Sequence, residues 1–492
     1  MTQMNSRKRQ NILFITADQH RGDCFGFAGR KVKTPHLDRL ASSGTSFSTC
    51  ITPNPVCQPA RASILTGMLP LTHGVCDNGV DLDEETGNSG FAGHLSNHGY
   101  DTALFGKAHF STKNTFKPTG RPECKTSSKN FGPDWFGPYM GFNHVEMTAF
   151  GHWHKVQDPL MPPFGLHYDR WIFERPDGEE LFDMWKKGDE HAPQTWDSEL
   201  PVAYHNSTWI ADRAIDYLGG QKREAPFCMW VSFPDPHHPF DCPEPWSRLH
   251  PPETIDLPRH RTKDLENRPW WHARTLQGKP ELKEKGLLNF RQKVSRVDDL
   301  DDVQLSHMIS NYYGMISLID HNVGRILNAL EDAGLTDDTI ILYTSDHGDW
   351  LGDHGLYLKG PMPYEGLLRV GLLASGPGIP LANIVDEPVS TVDIAATLYD
   401  YCGVEKPCNI QSRSLKPLIE NENESRDAAY CEWNLSPTRT GVPLELRTVR
   451  TKTHKLTLEL LSGAGEMYDL VNDPDEMINI FEDPESKAVR DD

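Results

Sequence analysis

The run Val56-Cys57-Gln58-Pro59-Ala60-Arg61-Ala62-Ser63-Ile64-Leu65-Thr66-Gly67 holds the residues of this chain best placed to do chemistry. Proline suits a first helical turn, where its missing N–H has no partner to lose. Gly67 stands where a helix would stop. The spacing predicts a short helix over 59–66 with Cys57 at its mouth, near unpaired backbone N–H groups and the positive end of the helix dipole. Arg61, four residues on, falls on the same face one turn later. Such a setting suits an anionic ligand or an activated nucleophile.

Other candidates each follow an apolar run: Asp18 and Gln19 after 11–16, Lys107 and His109 after 99–106, His237 after 225–233, and Asp346 and His347 after 339–343, with Lys359 further on. Singly, each has an ordinary reading. A lone lysine is most often a solvated surface charge, and Asp18 alone reads as a turn or cap aspartate. With 22 histidines in the chain, one histidine in one segment says little, and His238 adjoins His237 as an equal candidate.

Together the motifs say more. Cys-x-Pro-x-Arg followed by a small residue and Leu-Thr-Gly resembles the signature of the type I sulfatases, in the alkaline phosphatase superfamily, which also holds phosphonate monoester hydrolases. Gly106-Lys107-Ala108-His109 is similar to that family's Gly-Lys-x-His, and Pro236-His237-His238-Pro239-Phe240 to its Pro-His-x-Pro-Phe. Lys359, in Gly-Leu-Tyr-Leu-Lys-Gly, matches its sulfate-gripping lysine. The motifs keep the family order from residue 11 to about 480.

The resemblance implies that a formylglycine-generating maturation enzyme oxidises Cys57 to formylglycine (3-oxoalanine). It implies metal ligation by Asp18, Gln19, residue 57, Asp346 and His347. Hard oxygen donors with one imidazole suit a single divalent cation, calcium first, with manganese or magnesium as alternatives. It makes Cys57, Arg61, Lys107, His109, His237 and Lys359 catalytic, with Lys107 and His109 flanking residue 57. Asn78 touches substrate together with Lys107, His237 and Lys359, and His237 protonates the leaving group. The run Ala17-Asp18-Gln19 departs from the family's opening pair of aspartates and resembles the phosphonate hydrolase branch.

The implied chemistry is self-consistent. A thiolate would attack sulfur well, but its sulfonated product would have no easy release. An aldehyde hydrate offers two hydroxyls on one carbon, one to attack and one whose deprotonation expels the group as the aldehyde re-forms. The expectation is a sulfatase cleaving sulfate monoesters of small molecules or glycans. The alternatives are a phosphonate monoester or phosphodiester hydrolase on the same site, and a degenerate member that binds anions without turnover. A cysteine redox protein fits less well, because Cys50 and Cys76 are only arbitrary partners for Cys57.

The elements that must hold these residues read as alternating buried strands and helices. Strands are expected at 11–16, 99–106, 225–233 and 339–343. Helices are expected after Thr34 (as N-cap, with Pro35 at N1), at about 204–218, and from about Val303 to Asp332, where Met308, Tyr312, Met315, Ile316, Ile319, Val323, Ile326 and Leu330 recur at spacings of three and four. The implied fold is α/β: an alkaline-phosphatase-like, mostly parallel sheet sandwiched by helices, with the polar motifs at the carboxyl ends of strands. Residues 1–405 are expected to form this catalytic domain. Two insertions interrupt it: an irregular, aromatic-rich one at about 111–200 (Trp135, Phe136, Tyr139, Trp153, Trp171, Trp185, Trp196) and a charged surface one at about 250–303. Residues 406–492 read as a small α+β subdomain with an antiparallel sheet: a loop, Ala428–Glu432, a hairpin-like stretch at Leu446–Leu456, and Glu466–Glu476, which resembles the sulfatase C-terminal sheet.

The 492 residues carry a net charge of -21, which disfavours nucleic-acid partners and repels anions at long range, so an anion site must rely on a local cationic cluster. No apolar run is long enough to span a bilayer, and 11–16 is too short for a signal-peptide core. Ten scattered cysteines without a CxxC pair read as reduced thiols. A cytoplasmic protein is expected, with no membrane partner and with oligomer formation open.

Overall fold

The apolar run at the amino end forms strand β1 (Asn11–Ala17), all seven residues of which are buried. The computed structural model describes residues 9–491 except 113–117, 125, 149–165, 186–190, 221–223, 284–287, 289–290, 293 and 423. Seven further strands join β1 in one sheet: β2 (Thr45–Phe47), β3 (Asp101–Gly106), β4 (His144–Met147), β5 (Phe227–Ser232), β6 (Thr339–Ser345), β7 (Leu372–Ser375) and β8 (Asn383–Val385). Their order is β8-β2-β7-β6-β1-β5-β3-β4. The pairings are parallel except at β7, which runs antiparallel to both β6 and β2. In register, Phe14 lies beside Trp230 and Leu342, and Thr16 beside Ser232 and Thr344, so the ends of the central strands come level.

Because side chains alternate across a strand, β1 feeds two cores. Ile12 and Phe14 face one with Trp230, Leu104 and Leu342; Leu13 and Ile15 face the other with Phe105, Met229 and Tyr343. Helices α2 (Cys57–Thr66) and α5 (Ile394–Cys402) cover the first face. Helices α1 (Pro35–Ser42), α3 (Asn206–Gly219) and α4 (Asp302–Asp332) cover the second. Helix α4 opens with a capping box between Asp301 and Gln304, and every apolar position of its expected stripe is buried.

Several expectations are refined or corrected. Thr34 is the N-cap of α1 with Pro35 following, as expected, but its side chain makes no capping hydrogen bond. Asp320 of α4 does that work instead, accepting from the N–H groups of His36 (3.0 Å) and Leu37 (2.8 Å). The segment 111–200 is not merely irregular. His144–Met147 is the parallel edge strand β4, and helices run over His167–Phe173 and Gly178–Trp185. The strict alternation of His144-Val145-Glu146-Met147 is a half-buried strand signal that the surrounding proline, glycine and aromatic residues obscure, and Trp153 lies outside the described residues. The 250–303 segment is not all surface: Trp271, on the helix Trp270–Gln277, is buried against Trp433 and Val56.

The carboxyl-terminal sheet is antiparallel and four-stranded: β9 (Ala428–Leu435), β10 (Leu444–Thr451), β11 (His454–Glu459) and β12 (Gly465–Asp469). The expected loop at Ala428–Glu432 is therefore the start of β9, whose buried residues include the charged Glu432 between Cys431 and Trp433. Among the described residues, no helix is long and apolar enough to cross a membrane.

Candidate active site

Four strand ends and one helix start deliver the site. Beyond β1 come Asp18 and Gln19; beyond β3, Lys107 and His109; beyond β5, Asp235, His237 and His238; beyond β6, Asp346 and His347. Helix α2 starts at Cys57 itself, two residues earlier than expected, and closes on Gly67, whose φ of 69° suits glycine. Pro59 still lies in the first turn. The approach to Cys57 is fixed by Asn54, whose Oδ1 accepts from Val56 N (3.0 Å) and whose Nδ2 donates to the Glu432 carbonyl (2.8 Å).

Asp18, Cys57, Asp346 and His347 converge, each fully buried, with one ligand-type atom from each lying within 4.8 Å of the others. Cys57 Sγ is 3.5 Å from Asp18 Oδ1 and 3.1 Å from His347 Nε2, which is itself 3.6 Å from Asp18 Oδ1 and 3.9 Å from Asp346 Oδ1. His347 Nδ1 donates to the Gly348 carbonyl (2.8 Å), so the lone pair of Nε2 points into the cluster. Burial and the Asp18 charge together raise the pKa of Asp346 against the pull of Arg61. Two dry carboxylates, an imidazole lone pair and the group at residue 57 form a donor set that fits a divalent cation.

Cations surround this cluster. Lys107 Nζ is paired with Asp18 Oδ2. Lys359 Nζ lies 2.9 Å from Cys57 Sγ, 3.1 Å from Gln19 Oε1 and 3.1 Å from His347 Nε2. Burial opposes charge on Asp18, but Lys107, His237, Lys359 and Arg61 hold its carboxyl well below the usual range. Burial and Asp18 likewise oppose the Cys57 thiolate, yet the ammonium groups of Lys107 and Lys359 bring the thiol well below its ordinary value. His237 is half-buried, stacks on His238 at 4.0 Å between ring centroids, and gives its Nδ1 hydrogen to the His238 carbonyl.

Arg61 and Asn78 also brace the scaffold, while Arg61 Nη2, 3.8 Å from Asp18 Oδ2, has no hydrogen-bond partner among the described residues. Arg61 has no exposed surface, because its helix is buried on every side. Its Nε donates to Asp346 Oδ2 (2.8 Å) and its Nη1 to the Lys107 carbonyl (2.8 Å) and Ser232 Oγ (2.7 Å). It thus ties the ends of β3, β5 and β6 together beneath the cluster. Asn78 Oδ1 accepts from Gln58 N (3.0 Å) in the first turn of α2. Gln19 adopts a positive φ of 70°, with its backbone N donating to Asp346 Oδ1 (3.1 Å) and its side-chain amide to Asp349 Oδ2.

Residues 10–404 match the family described as Sulfatase. The chain belongs to the sulfatase family. Residues 352–492 of this sulfatase also match the family described as N-sulphoglucosamine sulphohydrolase, C-terminal. The sulfatase is 30% identical over 493 residues to an arylsulfatase of Clostridium perfringens, covering 97% of this chain and 92% of that protein. It is 28% identical over 536 residues to an N-acetylglucosamine-6-O-sulfatase of Bacteroides thetaiotaomicron, covering 97% and 84%. Among solved structures it is similar to the phosphonate monoester hydrolase of Agrobacterium radiobacter, with a TM-score of 0.76 and 29% identity over 98% of this chain and 93% of that one.

Sequence reasoning missed several supports of the sulfatase site. Glu123 sits in the first insertion and accepts from three successive N–H groups, those of His109, Phe110 (2.9 Å) and Ser111 (3.1 Å), and from Tyr139 Oη (2.8 Å), fixing the loop that carries Lys107 and His109. Asp349 Oδ1 accepts from Leu351 N (2.6 Å) and Leu358 N (3.1 Å), which anchors the loop ending at Lys359. Burial raises its carboxyl to about 6. The Asp-His-Gly-Asp run held a signal for Asp349; nothing local marks Glu123.

Proposed function

We propose that this sulfatase hydrolyses sulfate monoesters, with a sulfated sugar or aryl sulfate as substrate, after a maturation enzyme has converted Cys57 to formylglycine. The observation that carries the reading is the buried meeting of Asp18, Cys57, Asp346 and His347 with the ammonium groups of Lys107 and Lys359 beside them. Asp18, Asp346, His347 and residue 57 would hold one divalent cation, calcium first, with Gln19 Oε1 at hand. The cation and the hydrated aldehyde would supply Lewis-acid stabilisation and a hydroxyl nucleophile that a bare thiol cannot replace.

The chain's own residues do the rest. Lys107 and Lys359 bind the oxygens of the sulfate and stabilise the charge that grows on them in the transition state. His237, whose Nδ1 hydrogen is engaged with the His238 carbonyl, offers Nε2 to protonate the departing alkoxide or phenoxide. His109 and the Glu123-braced loop orient Lys107. Arg61 holds Asp346 in place and keeps the two carboxylates from repelling each other apart.

The test joins chemistry to modification. Mass analysis of the Cys57 peptide from a host with the maturation enzyme is expected to show the aldehyde, and the same preparation to release sulfate from an aryl sulfate. An intact thiol with full turnover overturns the reading. Phosphonate monoester hydrolysis is the second reading, favoured by the run Ala17-Asp18-Gln19. Paired kcat/KM values on an aryl sulfate and an aryl phosphonate decide between the two.

A further inference from the structure

Beside the site lies a cleft of about 530 Å3 that shares Lys359 with it. Its wall is cationic although the chain as a whole carries -21. Two of its five cations are balanced by carboxylates. Lys263 pairs with Asp299, and Arg439 clasps Asp77 through Nε (3.0 Å) and Nη2 (2.8 Å). Arg291 and Arg296 are not. Among the described residues neither forms an ion pair; Asp298, the remaining carboxylate of the wall, is exposed. Arg291 Nη2 donates to the Asn78 carbonyl (3.0 Å), and Arg296 reaches only the carbonyls of Leu276 and Thr275, both at 3.4 Å. Burial and then the Arg439 charge, only partly offset by Asp77, bring Arg291 down to about 10, and burial alone lowers Arg296. A half-buried guanidinium held by neutral carbonyls retains much of its capacity for a forked bond to an oxyanion.

We propose that this cleft binds a second oxyanion carried by the substrate, with Arg291 and Arg296 as its counter-charges, so that the preferred substrate is a sulfate ester bearing another sulfate or a carboxylate. The proposal rests on the sulfatase reading above and specifies its substrate class. Arg291 joins the two regions physically: its partner Asn78 also caps the turn that begins at Cys57.

The test compares kcat/KM of the matured enzyme on three substrates: a hexosamine monosulfate, the corresponding disulfate, and the monosulfate joined to a uronic acid. The second anion is expected to raise kcat/KM by about tenfold or more. The ratio is expected to fall toward one in Arg296→Gln and in Arg291→Gln, with Arg291→Lys retaining part of it. A preference for the disulfate alone identifies a sulfate subsite, and one for the uronate alone a carboxylate subsite. No preference in the parent enzyme, or one that persists in both glutamine variants, overturns the proposal. If no sulfate ester is turned over at all, the sulfatase reading fails instead. Calorimetric titration with the same three sugars then reads the cleft directly, and equal affinities would overturn it.

Discussion

Lys359 sets one ammonium against a sulfur, an amide oxygen and an imidazole nitrogen. A charge so placed does more for a transition state than for folding, since its own side chain is only half-buried. Lys359→Ala is expected to lower kcat/KM by roughly 10²–10³, with the melting temperature little changed; a loss below fivefold would remove it from the transition state. Asp18, Cys57, Lys107 and His347 were legible as site residues because each sits in a short motif after an apolar run. The commitments of Arg61 and Asn78 were not legible. Their partners, Asp346 and Gln58, become neighbours only when helix α2 is buried on all sides, and periodicity does not encode that.

At the scale of elements, two long-range carboxylates stand out. Glu123→Ala leaves three buried N–H groups without an acceptor, so it is expected to destabilise the protein by roughly 2–5 kcal/mol and to lower kcat by loosening the Lys107–His109 loop. Denaturant melts and steady-state rates check this together. Asp320, which caps α1 from within α4, has its carboxyl raised to about 7 by burial, against the pull of the Leu37 and His36 N–H groups. The folded state therefore keeps a proton that the unfolded chain releases near 4, and stability falls as pH climbs between about 4 and 7. Asp320→Asn keeps an acceptor but not the titration. Its melting temperature is expected to fall less over that interval than the parent's, and parallel curves would refute this. Helix α4 itself was plain in the sequence from its stripe of spacings three and four. Its capping of α1 was not, because the two lie 284 residues apart. Nor was β4, whose four-residue alternation is obscured by the proline, glycine and aromatic residues around it.

For the whole molecule, the alternation of strands and helices announced an α/β sheet with its site at the strand ends, but not the antiparallel β7 or the cleft formed by the second insertion. Folding gathers Asp18 and Asp346, 328 positions apart in sequence, into one dry cluster. A cation bound there stabilises the native state by mass action, about 2.7 kcal/mol at a hundredfold excess over Kd. Exhaustive chelation is expected to lower both the melting temperature and the rate, with added calcium restoring both; a melt indifferent to chelator would argue against a resident ion.

The side chain of Cys57 is 1% exposed and its helix is sealed under the sheet. A modifying enzyme, far bulkier than a sulfate ester, would need this helix turn drawn out of the fold to reach the sulfur. Under the maturation proposed for Cys57, burial therefore sets the order of events: the residue is converted before the chain folds around it, and a molecule that folds first keeps its thiol. Folded, unprocessed protein incubated with the maturation enzyme is expected to keep its thiol, whereas a peptide spanning the same residues is converted.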